Sequence, residues 1–168
     1  AGIFHLSMHA CFKALLFLCA GSVIVAMHHE QDLRKMGGLR KYLPVTYVCF
    51  FIGAAALSAI PPFAGYYSKD AIIEAVHHST IPGATYAYYC VLLGAFVTGF
   101  YIFRAFFMAF HGPERFDPAL RSHLREYWSM RIPLILLSIA SVVLGFLLVG
   151  WVVYSQPGLF GQSITVAP

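Results

Sequence analysis

The fold of this chain is decided by residues 44–79, which read PVTYVCFFIGAAALSAIPPFAGYYSKDAIIEAVHHS. As one continuous helix this stretch would extend for about 54 Å, whereas the hydrocarbon core of a bilayer is about 30 Å thick. Pro61 and Pro62 stand near its middle, and two consecutive prolines remove two backbone donors and clash with the preceding turn. The stretch therefore predicts one discontinuous helix, broken at Pro61-Pro62, with Lys69 and Asp70 soon after the break.

The composition around this stretch is that of a membrane protein. Of 168 residues, 60% are hydrophobic and only 11% are charged, with 11 Lys+Arg against 7 Asp+Glu, whereas a soluble domain usually has about 25% charged residues. Such a chain cannot cover a soluble globule with polar surface, and it is too apolar for a disordered segment. It predicts an all-α polytopic transmembrane protein in a lipid bilayer, and the modest net charge of +4 gives no indication of nucleic-acid binding.

Four membrane passages can be placed in a single membrane region, 1–168. The expected segments are a transmembrane helix at 1–27, a connector at 28–43, the discontinuous helix at 44–79, a helix at 84–111, a connector at 112–131, a helix at 132–154 and an irregular end at 155–168. Residue 1 is Ala and the apolar run begins at once, without the basic region or cleavage site of a signal peptide. We therefore expect an internal piece of a longer chain.

The distribution of basic residues favours one interrupted crossing over two separate crossings at 44–79. The connectors 28–43 and 112–131 each contain four basic residues, and the segment 77–83 contains neither Lys nor Arg. With one interrupted crossing both basic connectors fall on the same side, as the positive-inside rule requires. We expect both to be cytoplasmic.

Three titratable residues stand in a row in the first passage. His5, His9 and Lys13 follow the spacing i, i+4, i+8, which places them on one helix face over about 12 Å of depth. A single buried His is more often a satisfied core residue, but Lys13 lies too deep for its amine to reach the interface easily. Groups that gain and lose a proton at accessible pH are what a proton relay requires, and the row predicts one.

The broken helix is the second candidate site. A break at mid-membrane depth leaves unpaired carbonyls and amides, which are tolerated only inside protein or beside a water-filled cavity, and transporters use such breaks at ion sites. The dipole at the start of the second half should favour Asp70 and oppose the positive charge of Lys69. The alternative is a bent helix in which this charge pair only holds neighbouring helices together.

The remaining ionisable residues have simpler interpretations. Arg104 lies near the end of its helix and can extend its guanidinium to the interface, and the pairs His28-His29 and His77-His78 are expected to be interfacial. The histidines His5 and His9 match one box of a membrane di-iron oxygenase, but the other histidines lie at both membrane surfaces, and no facing passage offers a second axial ligand for haem. The scattered cysteines have no metal-site or disulfide spacing. We expect no metal, no bound cofactor and no catalytic residue in this chain.

The motifs themselves resemble the antiporter-like membrane subunits of respiratory complex I. The matching motifs are His5-x-x-x-His9-Ala-x-Phe-Lys13, Gly21-Ser22-Val23-Ile24, Glu30-Gln31-Asp32-x-Arg34-Lys35-Met36-Gly37-Gly38-Leu39 and Pro62-x-Ala64-Gly65-x-x-Ser68-Lys69-Asp70. The resemblance runs in register to about residue 111 and continues beyond Pro113 only as hydropathy. The Glu-Gln-Asp form of the connector looks most like the distal and largest of these subunits. One departure is Val25, where many members of the family have a histidine.

The resemblance implies proton translocation driven by NADH oxidation and quinone reduction in partner subunits. Lys13 would be the central relay lysine, His5 and His9 the histidines beside it, Lys69 the lysine at the broken helix and Asp70 its acidic neighbour. FMN, iron–sulfur clusters and quinone would belong to the other membrane and peripheral subunits, so this chain would be a translocase subunit without a redox site. The expected location is the bacterial inner membrane, or the mitochondrial one in a eukaryote. The alternatives are the large subunit of a multisubunit cation/proton antiporter and the membrane subunit of an energy-converting hydrogenase.

Overall fold

The computed structural model describes residues 2–148, apart from the side chains of residues 64, 145 and 146. The helices are α1 (Gly2–Ala26), α2 (Pro44–Leu57), α3 (Ala64–His77), α4 (Ala84–Phe110) and α5 (Trp128–Leu148), with short 3-10 turns at Leu33–Lys35, Leu39–Lys41 and Pro118–Ser122. Residues 2–148 contain no strand. The predicted all-α class and the interrupted helix are confirmed.

Helix α1 lies at the centre of the bundle, where it contacts α2, α3 and α5, and α4 packs against α2 and α3. The side chains of Phe12, Leu15 and Cys19 on α1 are completely buried. At Gly53 of α2 an added Cβ would lie 2.9 Å from the Leu16 side chain, so the small residue allows α1 and α2 to approach closely.

The two halves of the interrupted helix run antiparallel to α1. Near the end of α1, Ser22 forms a buried 3.1 Å hydrogen bond with Thr46 at the start of α2, and near the beginning of α1, His5 contacts Ser68 of α3. Each half has 14 residues, or about 21 Å of helix, so neither half alone matches a bilayer core of about 30 Å. Together they make one crossing beside α1.

The break covers residues 58–63 and begins before the two prolines. Ala59 has a φ of +59°, and the amides of Ser58 and Ile60 turn back to the carbonyls of Ala54 and Ala55 at 2.9 and 3.0 Å. This is a left-handed helix ending that satisfies the last carbonyls of α2. The prolines therefore follow a helix that has already ended. Neither of them could have donated the next hydrogen bond of a continuing helix.

The second half approaches the first very closely. A Cβ on Gly65, the second residue of α3, would collide with the carbonyl oxygen of Ala56. Only glycine leaves room for that oxygen. The ends of α2 and α3 are therefore held side by side around the break.

Two helices of the described chain, α1 and α4, are long and apolar enough to cross a membrane, and α2 and residues 128–144 form shorter apolar helices. The connectors after α1 and α4 lie together at one end of the bundle. Gly38 N–H donates to the carbonyl of His111 at 3.3 Å, and the Tyr42 hydroxyl donates to Glu114 at 3.2 Å. Their shared position agrees with a single interrupted crossing, and their cytoplasmic location stays a prediction.

The last helix begins earlier than the sequence indicates. We expected it from residue 132, directly after the basic connector, but α5 begins at Trp128 and contains Pro133. The carbonyl of Tyr127 already accepts the amides of Met130 and Arg131, which starts the helix one turn before the proline. The rest of the expected passage, 149–154, and the expected irregular end, 155–168, lie outside the described residues.

Candidate functional site

Lys69 connects the two halves of the interrupted helix. Its Nζ donates a 2.6 Å hydrogen bond to the carbonyl oxygen of Leu57, the last residue of α2, and the side chain is half-buried. The ammonium thus caps the C-terminal end of α2, where the helix dipole is negative and stabilises a positive charge. The prediction that the α3 dipole opposes the charge of Lys69 was wrong, because Lys69 lies beyond the first turn of α3. Its charge interacts instead with the C-terminal end of α2.

Ser68 links this lysine to the first helix. Its side chain is completely buried, its Oγ lies 3.0 Å from Nδ1 of His5, and its hydroxyl donates to the carbonyl of Gly65 at 3.3 Å. A hydroxyl has one proton and two acceptor sites. When that proton points to Gly65, the serine accepts the Nδ1 proton of His5; when the hydroxyl rotates, it can donate to an unprotonated Nδ1.

The row on α1 leads away from this contact. The rings of His5 and His9 have their centroids 5.5 Å apart, His9 meets the edge of Phe12 at 5.1 Å, and Nζ of Lys13 lies 5.8 Å from the centroid of Phe17. His5 and His9 are therefore in contact along one face of α1, and His5 joins that face to Ser68, the residue before Lys69.

A cavity lies beside Lys13 and the last residue of α2. It has a volume of about 260 Å³ and is lined by Lys13, Leu16, Phe17, Ala20, Phe50, Leu57, Tyr101 and Ile102. Leu57, whose carbonyl accepts the hydrogen bond of Lys69, thus shares this cavity with Lys13. Its volume is sufficient for several waters, with the amine of Lys13 and the hydroxyl of Tyr101 as polar groups in the lining. In the break itself, the buried Oγ of Ser58 has no hydrogen-bond partner within residues 2–148.

The segment that contains these residues matches a known protein family. The family described as "NADH:quinone oxidoreductase/Mrp antiporter, TM" matches residues 1–100, a range that includes the row on α1, the interrupted helix and Lys69. The chain belongs to this family.

Individual members of the antiporter family match nearly the whole chain. The chain is 44% identical to NADH-quinone oxidoreductase subunit L of Neisseria meningitidis serogroup B over 95% of its own length and 25% of the relative's. It is 47% identical to subunit L of Escherichia coli strain K12 over 89% and 23% of the two lengths. It is 42% identical to NADH-ubiquinone oxidoreductase chain 5 of Phytophthora infestans over 99% and 25%. The chain thus spans about a quarter of the length of these relatives, and the resemblance seen in the motifs is confirmed.

Asp70 does not take part in the group around Lys69. The carboxylate is exposed, and within residues 2–148 no ion pair joins it to Lys69. Consecutive helical residues point about 100° apart, so Asp70 turns away from the break while Lys69 faces it. In this member of the antiporter family the interaction of Lys69 is with a backbone carbonyl.

The histidines expected at the interface are all exposed, namely His28, His29, His77 and His78, and so is Arg104. His28 also stacks edge-on with His123 of the other connector, with 5.5 Å between the ring centroids. Within residues 2–148 no three His, Cys, Asp or Glu side chains come together as ligands for a metal ion. His5, His9, Lys13 and Lys69 are, in contrast, all partly buried in the bundle.

The acidic residues of the first connector have a local structural role. Hydrogen bonds from the side chain and amide of Arg34 lower the pKa of Asp32 to about 2, and the hydrogen bond from Lys35 lowers the pKa of Glu30. The same pairs raise the pKa of Arg34 and of Lys35. These groups keep their charges at neutral pH and stabilise the connector.

Sequence reasoning missed two groups at this site, the carbonyl of Leu57 and the hydroxyl of Ser68. Ser68 had a weak signal, since it stands directly before Lys69. The Leu57 carbonyl had no signal in the sequence. Every residue has a backbone carbonyl, and only the fold decides which carbonyl accepts a hydrogen bond from a side chain.

Proposed function

We propose that this chain is part of a proton-translocating membrane subunit of an NADH–quinone oxidoreductase. The support is the family, the similarity to subunit L and chain 5 of such oxidoreductases, and the contact between Lys69 and Leu57 at the break. In this proposal FMN, iron–sulfur clusters and quinone are held by partner subunits, and the chain has no redox site of its own. The other membrane and peripheral subunits are its partners, and the membrane is the bacterial or mitochondrial inner membrane.

Protons would pass along the group Lys13, His9, His5, Ser68 and Lys69. A neutral imidazole can accept a proton on one nitrogen and release one from the other, and the rotating hydroxyl of Ser68 can pass a proton between His5 and its surroundings. Water in the cavity beside Lys13 would connect that lysine to the break. Each step uses a group that returns to its starting state, as a relay must.

Lys69 would act as the gate of this relay. As an ammonium, it makes a charge-assisted hydrogen bond to Leu57 and interacts with the negative end of the α2 dipole. After losing its proton, the amine keeps a donor but loses the charge that strengthens both interactions. The contact that closes the break is therefore weaker whenever the proton has left, which ties the position of the side chain to its protonation.

Substitution of Lys69 tests the gate. We expect Lys69→Arg to be as damaging as Lys69→Ala to proton translocation in the assembled complex, because a guanidinium keeps the positive charge but is not deprotonated in proteins. Lys41→Arg and Lys41→Ala, at an exposed connector lysine, are the matched controls and should leave pumping unchanged. Substantial pumping by Lys69→Arg would show that only a fixed charge is needed and would refute the gate.

A second candidate, the large subunit of a cation/proton antiporter, is favoured by the family description, which names Mrp antiporters. Both functions would use the same lysines. The proteins that co-purify with the full-length subunit distinguish them, because flavin- and cluster-containing subunits accompany only the oxidoreductase.

A further inference from the structure

A carboxylate in the second connector caps α2. Glu126 has a side chain only 1% exposed, and its Oε1 accepts the backbone amide of Thr46 at 2.7 Å. The residue before α2, Leu43, makes no side-chain cap, and Thr46 is the third residue of the helix, whose amide has no partner within the helix. The cap of α2 therefore comes from an acid 80 residues further along the chain.

The other oxygen of this carboxylate faces α5. Oε2 of Glu126 lies 3.2 Å from Nε of Arg131, but neither atom makes a hydrogen bond of acceptable geometry, so the pair is an ion pair by distance with poor alignment. The guanidinium also lies 5.0 Å from the centroid of the Trp128 ring. Since the aligned hydrogen bond of Glu126 goes to α2, the carboxylate is oriented for that helix more than for its charged partner.

Helix α2 is thus held at both ends by charged side chains of other elements. Glu126 contacts its N-terminal end, and Lys69 contacts the carbonyl of Leu57 at its C-terminal end. A negative charge at the start and a positive charge at the end both complement the helix dipole. The buried residues between them, Gly53 to Leu57, pack closely in the bundle, so a displacement at one end is carried to the other with little bending.

We infer that Glu126 is a positioning residue that sets the axial position of α2 and thereby presents the Leu57 carbonyl to Lys69. The inference rests on the proposed function for its effect on proton translocation, but the positioning itself is a structural property. The contact between Lys69 and Leu57 is short, at 2.6 Å, and hydrogen bonds weaken steeply once donor and acceptor separate by about 1 Å more. A shift of less than one residue rise of about 1.5 Å along α2 would be enough to open it.

Three substitutions separate position from charge. Glu126→Gln keeps the shape and an acceptor but loses the charge, Glu126→Asp keeps the charge but is one methylene shorter, and Glu126→Ala removes the cap. We expect Glu126→Ala and Glu126→Asp to lower proton translocation in the assembled complex, because neither side chain reaches Thr46 from the same backbone position, whereas Glu126→Gln keeps the acceptor and should retain most of it. Glu114→Gln is the matched control: this acid of the same connector pairs with Arg121 at 2.8 Å and should leave pumping unchanged.

A thiol in the break reports the displacement directly. Ile60→Cys places a cysteine at a position that is 38% exposed in the break and outside the proposed relay. Loss of one hydrogen bond to a charged group should raise the labelling rate of this thiol by roughly tenfold through easier opening of the break. The increase is expected with Glu126→Asp and Glu126→Ala, and not with Glu114→Gln. Unchanged labelling in assembled complex would overturn the inference.

A double substitution tests whether Glu126 acts through Lys69. In a Lys69→Ala background the contact is already absent, so Glu126→Ala should reduce pumping no further, whereas independent effects would add. Additive losses would show a separate structural role and would also overturn the inference. If Lys69→Ala itself pumps normally, the proposed function fails, while the labelling of the break still decides whether Glu126 positions α2.

Discussion

Helices α1 and α4 are the two long apolar spans of the described chain, and their surroundings are opposite. In the most apolar part of α1, 39% of the residues are buried, against 6% for α4. The three ionisable residues on α1 face protein groups and a cavity, whereas Arg104 on α4 is exposed. Similar hydropathy therefore hides different roles: α1 is the central element that holds titratable groups, and α4 is a peripheral helix whose charge lies near its end.

The largest expected difference concerns the charges of these helices. Lys13→Ala should reduce proton translocation by roughly tenfold or more, because a positioned proton-transfer group is lost, whereas Arg104→Ala should leave it unchanged. His5→Ala and His9→Ala should do less, since water can partly replace one relay step. The measurement is pumping and quinone reduction in assembled complex. Normal pumping by Lys13→Ala would show that the ionisable residues of α1 are no more important for proton translocation than Arg104 of α4.

The packing of the two helices should differ in the same direction. Leu15 on α1 is completely buried, and Leu93 on α4 is 64% exposed. Leu15→Ala should lower the free energy of unfolding by about 2–5 kcal/mol through the cavity it leaves, while Leu93→Ala should change it by no more than about 0.5 kcal/mol. Denaturant unfolding in detergent compares the two. Equal losses would mean that α4 is covered as fully as α1.

Sequence reasoning predicted the class, the interruption and the row on α1, because these depend on length, proline chemistry and helical spacing. It did not predict what completes the site. The burial of Glu126 is invisible between Arg125 and Tyr127, which are typical of a polar connector. The partner of Lys69 is a carbonyl on the other side of the break, and the adjacent Asp70 was the obvious choice from sequence but faces away. The start of α5 was misplaced because residues 128–131 were assigned to the connector, which ends with Arg131.

Two glycines offer a smaller contrast between the inner and outer helices. A Cβ on Gly65 would meet the Ala56 carbonyl, while a Cβ on Gly94 of α4 would meet nothing within 4 Å. Gly65→Ala should cost about 1–3 kcal/mol through displacement of α3, and Gly94→Ala should stabilise by roughly 0.5–1 kcal/mol because alanine favours the helix. Thermal inactivation of both variants is the measurement, and a tolerated Gly65→Ala would contradict the close approach.

The smallest effect is expected in the connector that follows α1. The pKa of Asp32 is lowered from 3.8 to about 2 in the folded chain, so its stabilising pair is complete above pH 3.8 and is lost as the pH falls through about 2. Asp32→Asn should lower the melting temperature slightly and equally from pH 5 to 8, and the difference from the parent should vanish on acidification. Melting curves from pH 8 down to about pH 2 provide the test. A difference in melting temperature that grows on acidification would contradict a lowered pKa for Asp32.

The cap of α2 also bears on how the chain is made. The hydrogen bond of the Thr46 amide cannot form until Glu126 has been synthesised, and that of the Gly38 amide cannot form until His111 has been synthesised. At synthesis rates of about 5–20 residues per second, Glu126 emerges roughly 4–16 s after Thr46. During that interval α1 to α3 can insert, but the hydrogen bond between Glu126 and α2 cannot form. The consolidation of the broken helix is therefore a late event in biogenesis, governed by a connector that a truncated nascent chain would lack.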